Sequence, residues 1–220
     1  MPETKCKLQI SPCSHEAASY AVLNWHYSRA MPASKLIKYG AWENDKFIGA
    51  VLFGRGACSK LVSRYGFTMT EGCELVRVAL KSHETPVSRI VAICLKILKR
   101  ENPGLRLVVS FADTAQGHDG GIYKAGNWVY TGATNPDKFP ILGGKMVHTR
   151  TFSQMVKMGK IKRSDVKYKV TLPKHRYLYP LDAECRTAIE KFRRPYPKRP
   201  TDEVVSCTAS SRDSAVRFRP

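Results

Sequence analysis

Residues Cys73 to Phe111 read CELVRVALKSHETPVSRIVAICLKILKRENPGLRLVVSF. Leu75, Val76, Val78 and Leu80 give the first part the character of a strand, and Pro86 is placed to open a helix, where its missing N–H costs nothing. Ile90, Ile93, Cys94, Ile97 and Leu98 then recur at helical spacing as far as about Arg100, which predicts one apolar face. Asn102-Pro103-Gly104 stops the helix. The apolar, β-branched run from Leu105 to Phe111 has the length and composition of a buried strand. Strand, helix and strand in this order make a β-α-β unit with a parallel pair. A mixed α/β (α+β) sheet flanked by helices is therefore expected.

Upstream, residues 7–11 read as a short strand, and Ala17, Ala18, Ala21, Val22 and Trp25 mark a helix that Ser14 can cap. Two strand-like runs, Leu36 to Trp42 and Phe47 to Phe53, flank the polar turn Glu43-Asn44-Asp45-Lys46 and predict an antiparallel hairpin. A loop over 54–72 leads into the β-α-β unit. Downstream, a polar loop from Asp113 runs into a short helix around 120–125 and a strand over 128–133. Strand-like segments at 145–152, 166–172 and 176–181 precede a helix over 183–192. From Pro195 onward Pro, Ser, Thr and Arg replace apolar residues. The expected organisation is a core over residues 1–152, a basic C-terminal extension over 153–194 packed on it, and a disordered basic tail over 195–220.

Of the 220 residues, 43% are hydrophobic and 10% aromatic, which is enough for a packed core and excludes wholesale disorder. Lys and Arg number 37 against 18 Asp and Glu, a net charge of +19. Residues 1–144 hold 18 basic and 11 acidic side chains, and residues 145–220 hold 19 and 7, so the excess lies toward the C-terminus. Such a field favours a polyanion. Nucleic acid fits, because each neutralised phosphate releases counterions; a ribosomal or anionic-membrane partner would leave the same signature. Apolar stretches such as Ile90 to Leu95 fall far short of the roughly 20 residues of a membrane span. No apolar segment follows the first charges, so a cytoplasmic protein without a membrane partner is expected. The seven cysteines are scattered with no Cys-x-x-Cys pair and the six histidines are dispersed, which predicts reduced thiols and no metal site.

The order of elements over residues 7–134 resembles the GCN5-related N-acyltransferase (GNAT) fold. The resemblance implies that strands 73–80 and 105–111 splay apart around an acyl-CoA whose diphosphate meets the N-terminus of the helix between them, where free N–H groups and the helix dipole favour anions. The Gly-x-Gly or Gly-x-Ala of that family is replaced here by Lys81-Ser-His-Glu-Thr-Pro-Val-Ser-Arg, which leaves Thr85, Ser88 and Arg89 as candidate donors. A more specific resemblance rests on four blocks: Trp25-His26-Tyr27-Ser28, Gly49 to Gly54, Glu74 to Leu80, and Ser110 to Trp128. Together, over residues 20–135, they are similar to the Mom family of phage DNA-modification enzymes. That resemblance implies conversion of adenine in DNA to an N6-carbamoylmethyl derivative that shields phage DNA from host restriction. It further implies double-stranded DNA as partner and acyl-CoA or another activated acyl or glycine-derived donor.

An exocyclic amine is a weak nucleophile that must be oriented and relieved of a proton, and a base inside a duplex must first be extruded. The resemblance assigns His26, Tyr27, Asp113 and Tyr123 to catalysis and Arg77, Ser88 and Arg89 to the donor. His26 and Tyr27 would supply a base or hydrogen-bond donor and a stacking face; composition alone makes them a helix-end histidine and a core tyrosine. Arg77 lies in an apolar strand and needs a partner, either Glu74 or Asp113 in a structural pair or an anion or carbonyl of donor or DNA. Asp113 ends a strand, where ligands of open α/β sheets gather, and either caps the next turn or bonds the adenine amine. Tyr123 either packs under strand 128–133 or protonates the leaving group. Gln116, Gly117, His118 and Gly120 make a polar loop that could touch donor or base. Basic residues from Lys157 to Arg199, interleaved with Tyr168, Tyr177, Tyr179 and Tyr196, read singly as solvated and together as a phosphate-tracking surface. Two other functions fit the residues, an acetyltransferase acting on a protein amine and a non-catalytic DNA-binding protein.

Overall fold

The computed structural model describes residues 6–56, 60–147 and 149–197, so the expected disordered tail lies outside the described residues from 198 onward. The order β1 (Leu8–Pro12), α1 (His15–Trp25), β2 (Leu36–Glu43), β3 (Lys46–Gly54), β4 (Gly72–Leu80), α2 (Val87–Glu101), β5 (Leu107–Asp113), α3 (Gly121–Ala125), β6 (Val129–Ala133) is the predicted one. Ser14 caps α1 as expected, its hydroxyl accepting the Ala17 N–H at 3.1 Å. Then come β7 (Lys138–Leu142), β8 (Lys145–Met146), α4 (Thr149–Lys157), β9 (Lys167–Val170), β10 (Lys174–Pro180) and α5 (Ala183–Glu190). The strand predicted over 145–152 is corrected: β8 ends at Met146 and α4 begins at Thr149, because Phe152, Met155 and Val156 stand at helical spacing and bury one face. β7 escaped prediction because Pro140 sits in its middle.

Seven strands form the main sheet in the order β1-β2-β3-β4-β5-β10-β6. Only β4 and β5 run parallel. β10 comes from the segment expected to pack on a core ending at 152, yet it lies between β5 and β6, with Leu178 opposite both Val109 and Val129. The reason is its burial pattern. Tyr177 and Leu178 face opposite sides of the sheet and both are fully buried, which an edge strand cannot offer.

The alternation along β3 divides the core. Val51 and Phe53 meet Ile90, Val91, Cys94, Leu95 and Leu98 of α2 on one face, whereas Ala50 and Leu52 meet Ala18, Ala21 and Val22 of α1 on the other. Ile93, expected in the apolar stripe of α2, is only half-buried, and Val91 and Leu95 take its place. On the α1 side, α5 closes over β5 and β10 with Cys185 and Ile189.

β4 and β5 pair at Gly72–Leu107, Cys73–Val108 and Glu74–Val109 and no further. Just beyond, Leu52 of β3 faces Arg77 and Phe53 faces Leu75, leaving Val76 as a bulge. A bulge bends its strand, so β4 turns away from β5. Where the ladder stops, the Ser110 hydroxyl donates to the Leu75 carbonyl at 2.9 Å and keeps that buried acceptor satisfied.

Glu43 at the end of β2 is buried, and its carboxylate accepts the N–H of Glu84 at 2.8 Å and of Thr85 at 2.7 Å, pinning the segment before α2. Burial raises its pKa, but these bonds outweigh it and hold the carboxyl below its ordinary value. Glu43→Ala leaves both N–H groups unpaired and is expected to lower the unfolding free energy by about 1–3 kcal/mol in urea denaturation at neutral pH. Because the folded carboxyl titrates below the unfolded one, this stabilisation is present above about pH 4.3 and is lost as pH falls through the lower folded value. Wild type and variant should therefore converge in acid.

Candidate active site

The parting of β4 and β5 opens a cavity of about 520 Å³. Its walls are Leu75 to Val78 of β4, Phe111 and Ala112 of β5, Trp25 to Tyr27 at the end of α1, Val87 of α2, and the loop and helix from Gly117 to Tyr123. His26, Tyr27, Arg77 and Tyr123 are thus brought together, joined by His118. Asp113, Ser88 and Arg89 lie off this lining. The Asp113 carboxylate accepts the Ala115 N–H at 3.1 Å and pairs with the Lys174 ammonium at 3.4 Å, which holds the turn that carries His118. Ser88 and Arg89 sit in the first turn of α2, half-buried and exposed respectively.

The surroundings of His26 decide its protonation state. Its Nδ1 accepts the Ser28 N–H at 3.1 Å and lies 2.8 Å from the Ser28 hydroxyl. An amide N–H can only donate, so the neutral ring carries its proton on Nε2, a tautomer assigned from this bonding. Burial, with the guanidinium of Arg77 nearby, lowers the ring to a pKa of about 4. At neutral pH the His26 ring is therefore neutral and carries a hydrogen on Nε2. Its ring lies against Tyr27 at 4.3 Å, and Tyr27 meets His118 edge-on at 5.4 Å. Tyr27 is 48% exposed and forms an aromatic lip.

Arg77 finds carbonyls rather than carboxylates. Its Nη1 donates to Val76 O at 2.7 Å, and Nε and Nη2 donate to Ala30 O at 3.4 Å. The pair with Glu74 or Asp113 that would have made it purely structural is not formed. Its charge acts on the Glu74 carboxyl, favouring the ionised form against burial, and on the His26 ring, disfavouring protonation.

Tyr123 is buried, with its hydroxyl 2.8 Å from Ser110 Oγ. Since the Ser110 proton is committed to Leu75 O, the Tyr123 hydroxyl donates to Ser110. Burial pushes the Tyr123 pKa up to about 12, so it keeps its proton at neutral pH. The ring stacks on Tyr177 at 4.6 Å. Tyr177 in turn donates to the Asp119 carbonyl, beside Gly120 at φ +83°, where a Cβ would lie 2.0 Å from the Tyr177 oxygen. Ser110 was missed from the sequence, and Tyr177, read there as part of a phosphate-tracking surface, is corrected: it is fully buried in the core beneath Tyr123. The signal for Ser110 was available, because a hydroxyl within Leu107-Val-Val-Ser-Phe-Ala is tolerated in a buried strand only when bonded.

A coenzyme A bound in the manner implied by the resemblance would set its diphosphate against the start of α2. The segment before α2 is closed to it, since Glu43 already takes the Glu84 and Thr85 N–H groups and Pro86 has none. In the first turn of α2 the Arg89 and Ile90 N–H groups go to the Pro86 carbonyl, which leaves those of Val87 and Ser88 to meet an anion.

The strand order, the parallel pair that parts after three rungs and the helix joining its strands define an α/β protein on a GNAT-like scaffold. Similar solved structures include a Bacillus subtilis acetyltransferase in complex with CoA, 11% identical, covering 80% of this chain and 99% of that one with a TM-score of 0.43. A probable acetyltransferase from Staphylococcus epidermidis is 10% identical, covering 79% and 99% with a TM-score of 0.46. The aminoglycoside 6'-N-acetyltransferase from Enterococcus faecium is 12% identical, covering 80% and 98% with a TM-score of 0.43. No curated protein sequence matches. The model of the Mom protein family matches residues 7–198, and the chain belongs to that family. The match runs beyond residue 135, where the recognisable blocks end, through β10 at the centre of the sheet.

An NMR titration of the imidazole signals is expected to place His26 near pKa 4, and Arg77→Ala should raise it by removing a positive neighbour. A His26 that titrates at its ordinary value of 6.5 would contradict the assignment of a neutral ring.

Proposed function

We propose that this protein is a phage DNA-modification enzyme that converts adenine in DNA to its N6-carbamoylmethyl derivative in the host cytoplasm, protecting phage DNA from restriction. Family membership supports the reading, and one observation carries it: side chains from α1, β4 and α3 converge on a single cavity with an aromatic lip, a neutral imidazole, a guanidinium and a protonated phenol.

An extruded adenine stacks on Tyr27 and accepts a hydrogen bond from His26 Nε2 at a ring nitrogen. The donor carbonyl lies toward Arg77, which stabilises the oxyanion formed when the N6 lone pair attacks. As the N6–C bond forms, the bond to the leaving group breaks and Tyr123 gives that group its proton. The proton shed by N6 returns to Tyr123, so the phenol and Ser110 end as they began. Asp113 positions the turn bearing His118, and Ser88 and Arg89 serve the outer part of the donor.

The donor is an activated acyl compound, and the product restricts its acyl group. Acetyl transfer would leave an amide lacking the second nitrogen. A glycyl donor supplies the right atoms, since N6-glycyladenine and N6-carbamoylmethyladenine are isomers. They interconvert when the glycyl amine attacks purine C6 and displaces the amide nitrogen, with no atom gained or lost.

Nucleoside mass spectrometry of DNA from cells expressing the wild-type chain should reveal deoxyadenosine heavier by the atoms of one glycyl residue. Arg77→Ala and Tyr123→Phe should cut that product by about 10²–10⁴-fold, the range for a lost transition-state partner or proton donor, with unchanged duplex binding. Unmodified deoxyadenosine in strains supplying every class of activated glycine would sink the reading.

A further inference from the structure

Residues 135–173 leave the main sheet as an arm. β7, β8 and β9 form a separate three-stranded sheet in the order β8-β7-β9. α4 packs on it through buried Phe152, which meets Tyr168 edge-on at 6.2 Å. Nine Lys and Arg stand in this segment against two Asp.

The ion pairs among the described residues fall outside the arm: Arg106 with Glu71, Asp182 and Glu184, Lys99 with Asp182, Lys174 with Asp113, and Arg193 with Glu190. Lys138, Lys145, Lys157, Lys162, Lys167 and Lys169 of the arm form no ion pair among the described residues. Lys167 and Lys169 share one face of β9, opposite Ile141 and Phe139 of β7. Like charges this close repel, a cost that a polyanion would relieve. Exposed Met146, Met158, Tyr168, Val170 and Leu172 lie in the same segment. A merely solvated lysine surface has no use for them, whereas they suit a partner that presents sugar and base edges between its charges.

The arm's root fixes where such a partner would lie. The Thr134 N–H donates to Lys174 O at 2.8 Å, the Lys174 N–H to Thr134 Oγ1 at 3.0 Å, and the Thr171 N–H to Asp137 O at 2.8 Å. These bonds carry the β6–β10 ladder on into β7–β9. Lys174, first in β10, stands opposite Asp113, last in β5, and the Thr114 hydroxyl donates to the Pro173 carbonyl. This is the carboxyl end of β5, beside Phe111 and Ala112 of the cavity wall. Arm and cavity thus share one edge of the sheet.

We infer that the arm is the surface on which double-stranded nucleic acid is held, with phosphates on its unpaired lysines and the duplex passing the cavity mouth. Its contacts position the duplex without reading sequence. A two-stranded β-ribbon has the width to enter a B-DNA major groove. The inference rests on the reading that the cavity takes a base from DNA.

Fluorescence anisotropy of the full chain with a labelled random-sequence duplex, across a salt series, tests it. The triple substitution Lys138→Ala, Lys167→Ala, Lys169→Ala should weaken binding by about tenfold or more at physiological salt. It should also flatten the plot of log affinity against log salt by about 0.9 for each phosphate no longer neutralised. Circular dichroism and the unfolding temperature should stay as in wild type. Lys7→Ala, Lys46→Ala, Lys96→Ala, on other elements, should leave both readings near wild type. Equal losses from both triples, wild-type affinity in the arm triple, or a wild-type preference for phosphatidylserine vesicles over duplex would each overturn the inference. Arm-dependent duplex binding in a chain that leaves cellular adenine unmodified would support the arm while removing the proposed chemistry.

Discussion

The parallel ladder between β4 and β5 ends after Glu74 and Val109, and the chemistry of the molecule depends on that ending. A continued ladder would bring the strands to the usual spacing of less than about 5 Å and leave no room between them. The bulge at Val76 bends β4 away, and the Ser110 hydroxyl satisfies the carbonyl that the bend strands. The same hydroxyl then orients Tyr123. One buried serine thereby joins the stability of the opened sheet to the position of the Tyr123 phenol in the cavity wall.

The cavity holds its polar groups in fixed states. His26 is held neutral by burial and by the Arg77 charge, Tyr123 is held protonated by burial, and Arg77 donates to carbonyls with Glu74 as its electrostatic neighbour. Donors face the cavity from three sides, which suits an oxygen that gains negative charge more than a cation. The segment before α2 departs from this pattern, because Glu43 bonds its N–H groups with a carboxylate from within the fold.

Much of this was legible along the chain. The period of α2, the Ser14 cap and the hairpin around Asn44 and Asp45 depend on neighbours a few residues apart, and the structure repeats them. His26, Tyr27, Arg77 and Tyr123 were legible as candidates through motif blocks, although nothing local indicated that they share a cavity. Asp113 was left between capping the next turn and bonding the amine; it caps the turn, and its pairing with Lys174 depends on a distant strand. The place of β10 was equally hidden, since a strand's neighbours are chosen by burial on both faces rather than by its own residues. Pro140 and the short β8 concealed the arm, because neither offers the alternation by which strands are recognised.

Local periodicity was enough for the α/β class and the β-α-β unit, and the motif blocks for the family, since each arises from residues close in sequence. Folding alone fixed the His26 tautomer, bound Tyr123 to Ser110, pinned the segment before α2 through Glu43 and set the arm beside the cavity. The physical reason is that protonation, hydrogen bonding and strand order depend on which distant groups become neighbours, a quantity that no short window of sequence contains.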